Sequence, residues 1–134
     1  MPKSSMSWRK LDIAEVYAIH EAIIKKAGTK ASIRDFSLLH SAVERPNATF
    51  DGQDLYPTVF LRVGALLQSI CLNHAFTDGN KRTAWLSAKR YLWINGYHLK
   101  SKTKEAVDFM LWVDNTHPVL IKIPTWLKKH SKKI

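Results

Sequence analysis

Nine consecutive residues just past the middle of the chain, His74 to Arg82, bring together the side chains that phosphate chemistry uses. They read His-Ala-Phe-Thr-Asp-Gly-Asn-Lys-Arg, with an apolar helical pattern before them and another after them. We therefore predict a loop that opens a helix, where unpaired backbone N–H groups and the helix dipole attract anions. Gly79 would let the backbone of this loop turn sharply and approach a ligand closely.

The polar side chains of this loop offer complementary chemistry. Lys81 and Arg82 are cationic donors, and an arginine can bind two phosphate oxygens at once. Asp78 is a hard oxygen ligand, suited to Mg²⁺ that carries a nucleotide phosphate. Asn80 can donate to phosphate or help to hold the metal. Histidine changes its charge near neutral pH, which suits His74 to the role of general base.

Each feature of the loop also has a structural explanation. Asp-Gly-Asn is a common turn sequence, a Lys-Arg pair at a helix start is usually solvated, and most of the six histidines are expected to be structural. The dipole does not favour cations at a helix N-terminus, so their presence beside Asp78 favours an anion site over these alternatives. We expect Phe76 to turn inward and anchor the loop.

Length and composition set broad limits. The 134 residues predict a single domain, 1–134, with frayed ends at 1–10 and 131–134. The lone Cys71 excludes an intramolecular disulfide. We find neither a signal-peptide pattern nor an apolar run long enough to span a bilayer, and we expect a cytoplasmic protein. The net charge of +10 suggests an anionic partner, which could be a nucleic acid, a nucleotide or an acidic protein.

Periodic apolar residues predict an all-α fold, a compact bundle of about six helices. Asp51-Gly52 within 47–57 predicts a small β-hairpin, with an irregular loop as the alternative. We expect Pro118 and Pro124 to interrupt the helices near the end of the chain. The predicted helices are 13–26 (capped by Asp12, ended by Gly28), 36–43 (capped by Ser32 or Asp35), 58–73, 80–95, 103–114 and 125–130.

The loop resembles the core motif of the Fic/Doc superfamily, His-Pro-Phe-x-x-Gly-Asn-Gly-Arg-x-x-Arg. It is more similar to the form of the Doc (death-on-curing toxin) branch, His-x-Phe-x-Asp-Gly/Ala-Asn-Lys-Arg. The flanking stretches resemble that branch as well, over about residues 11–100. They are Ile33-Arg34-Asp35 through Arg45-Pro46, Asp54-Leu55-Tyr56-Pro57, Asn73 and Asn95-Gly96-Tyr97.

This resemblance implies a role for each motif residue. His74 corresponds to the base that activates a target hydroxyl, and Asp78 to the metal-binding acid. Gly79 and Asn80 correspond to the anion-hole positions, and Arg82 to the phosphate-binding arginine.

Two positions depart from the general motif, because Lys81 replaces its second glycine and Trp85 occupies its final arginine. AMP-transferring relatives use those positions to seat the nucleotide. Doc proteins carry the lysine and lack the arginine, and their nucleotide is thought to bind inverted. The resemblance therefore implies a kinase that uses ATP and Mg²⁺ to phosphorylate a Ser/Thr hydroxyl. By analogy the target is a translation factor such as elongation factor Tu, and growth arrest results.

Two other functions remain open at the level of sequence. One is AMP transfer to a protein target. The other is a basic nucleic-acid-binding module, suggested by a pI near 9.9. The second is disfavoured because lysines 122, 128, 129, 132 and 133 lie away from the motif and no DNA-reading helix is recognised.

The resemblance also implies two protein partners. The segment 47–57 corresponds to a flap that docks a target peptide by strand addition, through Phe50, Asp51, Gly52 and Gln53. A separate antitoxin would neutralise the protein through a disordered acidic segment, which the positive charge of this chain suits.

Overall fold

The helices form where capping residues and apolar spacing predict them. A computed structural model describes residues 8–29 and 32–134, and an all-α fold with six α-helices is confirmed within those ranges. The helices are α1 (Ile13–Ala27), α2 (Phe36–Glu44), α3 (Val59–Asn73), α4 (Asn80–Ile94), α5 (Thr103–Thr116) and α6 (Lys122–Lys129). The strands are β1 (Thr49–Phe50), β2 (Gln53–Asp54), β3 (Tyr97–Leu99) and β4 (Ser131–Lys133).

Short polar side chains begin the first three helices by accepting a backbone N–H. Asp12 accepts from Glu15 at 2.9 Å and caps α1, as predicted. Asp35 rather than Ser32 caps α2, accepting from Leu38 at 3.1 Å. Thr58 caps α3 through its hydroxyl.

The core is built around α3 and α4, which pack along each other's length. Helices α1, α2 and α6 cover this pair, and α5 packs beside α4. The packing of α6 on α3 is close, because a Cβ added at Gly64 would lie 2.9 Å from Cδ of Pro124. The centre of the core consists of fully buried apolar side chains: Val63, Leu66, Leu67, Ile70, Ala84, Ala88 and Leu92.

The hairpin that Asp51-Gly52 predicts is present. Strands β1 and β2 pair antiparallel, with Thr49 opposite Asp54. Asp51 and Gly52 have φ of 53° and 76°, and a tight two-residue hairpin turn requires such positive values.

The chain ends that the structure describes are ordered by pairing, which corrects the expectation of fraying. Strand β4 pairs antiparallel with β3, and the N–H of Ile134 donates to Gly96 at 2.8 Å. At the other end, the indole N–H of Trp8 donates to the carbonyl of Pro57 at 3.1 Å. Residues 1–7, also expected to be frayed, lie outside the described residues.

A second correction concerns Pro124, which does not interrupt the last helix. It is buried in the first turn of α6, where a backbone N–H has no partner within the helix and proline is tolerated. Helix α6 therefore begins earlier than the predicted 125. Among the helices of residues 8–29 and 32–134, none is both long enough and apolar enough to cross a membrane.

Candidate active site

The loop between α3 and α4 is held along its first half by the segment that precedes α2. The carbonyl of Ala75 accepts from the N–H groups of Arg34 and Asp35, at 2.8 and 3.1 Å. Ile33 and Phe76 form an isolated antiparallel bridge. The loop is therefore braced by backbone hydrogen bonds from a distant part of the chain.

Asn80 closes the loop from within. Its side-chain Nδ2 donates to the carbonyl of Phe76 at 2.9 Å, and its Oδ1 accepts from the N–H of Phe76 at 3.2 Å. Phe76 is 1% exposed, so the predicted inward anchor is confirmed. Both polar atoms of the Asn80 side chain therefore bind the loop backbone, and the residue also contributes one of the first-turn backbone N–H groups of α4.

Gly79 sets the geometry where the loop becomes helix α4. It is the N-cap residue in the left-handed conformation, with φ of 79°, which a residue with a side chain rarely adopts. Its N–H donates to Oδ1 of Asp78 at 2.8 Å. This leaves Oδ2 of Asp78 without a hydrogen bond to any residue that the structure describes.

A cavity of about 360 Å³ opens at this helix start, and we call it the loop cavity. Residues 78–82 line one side of it, and Ile23, Ile24 and Ala27 of α1 line the other. The first-turn N–H groups of α4 have no partners within the helix. The structure thus brings Asp78, Gly79, Asn80, Lys81 and Arg82 together around one cavity that combines these donors, two cations and a carboxylate.

The two cations lie between this cavity and an apolar groove. Lys81 and Arg82 are exposed and also line a groove of about 390 Å³ between α4 and α5, with Val107 and Met110 among its residues. Nζ of Lys81 lies 3.5 Å from Oδ2 of Asp114 on α5, in a partly exposed ion pair. Such a pair is weak in water, so Lys81 is free to exchange this carboxylate for another anion.

His74 occupies the opposite end of the loop. It ends α3 in the left-handed conformation, with φ of 52°, and its side chain is exposed. Nε of Arg34 donates to the carbonyl of His74 at 2.7 Å, which fixes the backbone there. His74 is not among the residues that line the loop cavity.

The hairpin flap (49–54) follows a short segment whose Arg45 lines a polar groove. Arg45, just before the flap, donates to the hydroxyl of Tyr56 and to Gln68 and Ser69 of α3. A groove of about 640 Å³ runs between α2 and α3 from Arg45 to Asn73, the neighbour of His74. Phe50 of the flap is 77% exposed. The structure therefore does not place Phe50, Asp51, Gly52 or Gln53 in the loop cavity, and none of them lines this α2–α3 groove, which begins at Arg45, four residues before the flap.

The donor set fits a magnesium ion that is shared with phosphate. Among the described residues there is no cluster of three or more His, Cys, Asp or Glu that could hold a metal alone. Mg²⁺ commonly binds one or two carboxylates together with substrate phosphates and water. Asp78, with one oxygen not engaged in the loop, matches that mode.

Cys71, one turn before the loop, is not a nucleophile. Burial raises the pKa of its thiol to about 12, and the Asp114 carboxylate acts in the same direction, while Lys81 acts against them. The thiol therefore stays protonated near neutral pH, whereas thiol chemistry needs the thiolate.

Two residues that support the loop were not recognised from the sequence as site residues. His20, predicted only to be a surface or packing residue of α1, is fully buried and contacts the loop. Its position one turn after Val16, on the apolar face of α1, could have indicated that His20 is buried. Arg34 belongs to one of the flanking stretches that resemble the Doc branch, and nothing in its spacing indicates the carbonyl that it binds.

Trp85 is engaged in an aromatic cluster. Its ring makes edge contacts with Trp126 and Phe109, with centroids 5.9 and 6.4 Å away. The position at which the general motif carries its final arginine is therefore packed against α5 and α6.

The fold and the site together define a class, an all-α protein in which a loop with a carboxylate, two cations and unpaired N–H groups precedes a central helix. The chain belongs to the Fic/DOC family, whose model matches residues 10–92. It is also similar to Toxin Doc of Mycolicibacterium smegmatis, with 51% identity over 98 residues, which cover 73% of this chain and 69% of that protein. The predicted membership of the Doc branch is confirmed by these similarities.

Proposed function

We propose that this chain is the toxin of a toxin–antitoxin pair and that it transfers the γ-phosphate of ATP to a Ser/Thr hydroxyl of a protein target. Family membership and the similarity to a protein named as a toxin support the toxin role. The observation that carries the phosphoryl-transfer role is the loop cavity, where Lys81, Arg82, Asp78 and the first turn of α4 surround one space.

Trp85 and Lys81 favour transfer of a phosphate over transfer of AMP. An α-phosphate seated for AMP transfer needs the arginine that Trp85 replaces, and this tryptophan is packed against other aromatic rings. Lys81 stands where a glycine would allow close backbone approach, and it adds a flexible cation instead. These residues support a nucleotide that presents its terminal phosphate.

The mechanism is an in-line displacement. The imidazole of His74 takes the proton from the target hydroxyl as its oxygen bonds to the γ-phosphorus. The bond from that phosphorus to the β–γ bridging oxygen breaks, and ADP leaves with the electron pair. Lys81, Arg82 and the first-turn N–H groups stabilise the charge that develops on the phosphoryl oxygens. Mg²⁺ held by Asp78 would supply further positive charge to the phosphates.

The target chain docks at the flap and reaches His74 along the α2–α3 groove. The exposed Phe50 offers an apolar anchor, and the short strands β1 and β2 offer backbone edges for strand addition. By the family analogy we propose a translation factor such as elongation factor Tu as the target, in the cytoplasm. Arrest of translation would follow.

The partner that neutralises this protein is an antitoxin with a disordered acidic segment. The chain carries 21 Lys and Arg against 11 Asp and Glu, so its field attracts such a segment and speeds association.

The deciding experiment incubates the purified protein with ATP, Mg²⁺ and candidate translation factors, and weighs the factors intact. A mass increase of one phosphate is expected, and addition of a whole nucleoside monophosphate would refute the proposal in favour of AMP transfer. His74→Ala should abolish transfer and growth arrest without loss of folding, because the side chain is exposed.

His117→Ala is the matched control for that variant. His117 is also an exposed histidine in the left-handed conformation at a helix end, with φ of 47°, but it lies at the end of α5. Its variant should retain full activity. If His74→Ala arrested growth as strongly as the wild-type protein, His74 would be rejected as the base.

A further inference from the structure

We infer that His20 of α1 is a positioning residue that fixes the peptide unit between Asp78 and Gly79, and thereby the carboxylate and the helix start that handle phosphate. The contact itself is independent of any activity, whereas its effect on the reaction rests on the function proposed above. His20 lies 58 residues before Asp78 in the chain, and it is 0% exposed.

His20 contacts the loop in two ways. Its Nε2 lies 2.8 Å from the carbonyl oxygen of Asp78. A carbonyl only accepts, so Nε2 carries the proton and donates. Its ring also stacks on Phe76, with centroids 3.6 Å apart and planes 9° from parallel. The same side chain therefore holds the buried anchor of the loop and one of its backbone carbonyls.

Both polar atoms of a single peptide unit are fixed in this way. The carbonyl of Asp78 accepts from His20, and the N–H of Gly79 donates to Oδ1 of Asp78. Rotation of this peptide would break both hydrogen bonds. It would also take Gly79 out of its left-handed conformation and release the Asp78 carboxylate from the N–H that holds it. His20 thus acts through Asp78 and Gly79, without contacting a substrate itself.

The packing of α1 against the loop is close at the same point. A Cβ added at Gly79 would lie 3.3 Å from Cδ1 of Ile24 and 3.6 Å from the His20 ring. The glycine is therefore favoured mainly by its left-handed backbone conformation. A side chain at this position would also require the end of the Ile24 side chain to shift by a few tenths of an ångström, whereas its distance to the His20 ring is an ordinary contact.

His20 stabilises the loop at a cost to the fold. Its Nδ1 is buried and has no hydrogen-bond partner among the residues that the structure describes. A buried polar atom without a partner is destabilising. A side chain selected only for packing would be apolar here, so the histidine indicates a need for the Nε2 donor.

Three substitutions separate the donor from the ring. His20→Phe keeps a stacking ring and removes the donor. His20→Gln keeps an N–H group three bonds from Cβ, where Nε2 of histidine lies, and removes the ring. His20→Met matches glutamine in shape and has neither. Val16→Ala is the control, since Val16 is fully buried one turn earlier on α1 and belongs to the core.

The first measurement is amide hydrogen exchange, which needs no substrate. In His20→Phe, the N–H groups of Gly79 and of the first turn of α4 should exchange faster while the thermal midpoint stays equal or rises. Val16→Ala should instead lower the midpoint and speed exchange throughout the core. Wild-type exchange at Gly79 in His20→Phe would overturn the inference.

The second measurement is the rate of phosphoryl transfer and its dependence on Mg²⁺. His20→Phe should lose about 10- to 100-fold in kcat/KM, as expected for misplaced catalytic groups, and should need more Mg²⁺ for half-maximal rate. His20→Gln should recover most of the rate and His20→Met should not. Equal rates for His20→Gln and His20→Met would overturn the inference. This comparison remains decisive even if His20→Phe fails to fold.

The two proposals fail in different ways. If the wild-type protein transfers no phosphate to any candidate, the proposed function fails, and the exchange data still decide the role of His20. If the wild-type protein is active and all His20 variants lose rate only in proportion to their unfolded fraction, the positioning role fails and the proposed function stands.

Discussion

His74 and Asn80 illustrate how single residues of one loop divide the work between chemistry and structure. The ring of His74 is exposed, and among the described residues its backbone carbonyl accepts a hydrogen bond from Arg34. Asn80 is 8% exposed and uses both side-chain atoms to close the loop around Phe76. The motif therefore contains one residue whose ring is accessible to a target, as the proposed function requires, and another whose side chain maintains the backbone of the loop.

Cys71 provides a test at the scale of one residue. Because burial raises its thiol pKa to about 12, iodoacetamide should label native protein at pH 8 only through unfolded molecules. Intact mass measured over time should show little native labelling and rapid labelling in urea. Prompt labelling of the native protein would contradict the burial of this thiol.

The short-range part of the site was predictable from the sequence, because contiguous residues carry it. Gly79 and the residues that follow it form the cavity wall through local helix-start geometry. The supports contributed by His20 and Arg34 depend on contacts 58 and 40 residues apart, which no local pattern encodes. The hydrogen bonds of the Asn80 side chain to the loop backbone could not be predicted from the sequence either, since an amide can bind a ligand or a backbone equally well.

At the scale of elements, capping chemistry explains why helix starts were predicted better than the end of the chain. Asp12 and Thr58 each accept a hydrogen bond from a backbone N–H three residues later, so these caps can be predicted from the local sequence. Strand β4 exists only because β3 lies beside it after the chain has folded. Pro124 is compatible with α6 because it falls in the first turn of the helix. A helix start only a few residues earlier would place this proline in the helix interior, and sequence patterns do not fix helix boundaries that closely.

The buried face of helix α4 carries three hydroxyl groups, and removing one of them should not destabilise the protein. Thr83, Ser87 and Tyr91 lie one turn apart, and their hydroxyls have no hydrogen-bond partner among the described residues. Burial also raises the pKa of Tyr91, with Arg62 acting against that shift. Tyr91→Phe should therefore leave the free energy of unfolding unchanged or raise it by about 1 kcal/mol.

Tyr56→Phe is the matched comparison for this prediction. Tyr56 is buried to a similar degree, but its hydroxyl accepts from Nε of Arg45 at 3.0 Å. Its removal should cost about 1–2 kcal/mol, because a hydrogen bond to a charged group is lost. Urea unfolding curves measure both effects, and equal losses for the two variants would contradict the assignment.

At the scale of the whole molecule, two carboxyl groups predict how stability depends on pH. Hydrogen bonds from Ser37 and then Leu38 lower the pKa of Asp35, and the backbone N–H of Lys102 lowers that of Glu105. A carboxyl whose folded pKa lies below its unfolded value stabilises the protein above that value. This stabilisation is lost as the pH falls through the folded pKa.

The urea midpoint should therefore fall as the pH drops below the ordinary carboxyl values of 3.8 and 4.5. Glu105→Gln should have a lower midpoint than wild type at pH 6 and a shallower fall on acidification. Glu21→Gln makes the same charge change on the exposed surface of α1 and serves as the control. Identical pH profiles for Glu105→Gln and wild type would exclude this contribution.

The part of the chain beyond the matched family segment also supports the site. Residues after 92 contribute Asp114, which pairs with Lys81, and the rings of Phe109 and Trp126, which pack on Trp85. The loop thus lies between α3 and α4 and contacts α1, while α5 and α6 pack against the first two turns of α4.

The contact between His20 and Asp78 has a consequence for the order in which the molecule becomes active during folding. Helices α3 and α4 are neighbours in the chain and can associate early, whereas closing a loop of 58 residues carries a larger entropic cost. An intermediate with α3 and α4 formed and α1 undocked would contain every residue of the motif without the brace on its loop. On the function proposed above, such a newly made or partly melted chain would have reduced activity, and full activity would begin only when α1 docks on the loop.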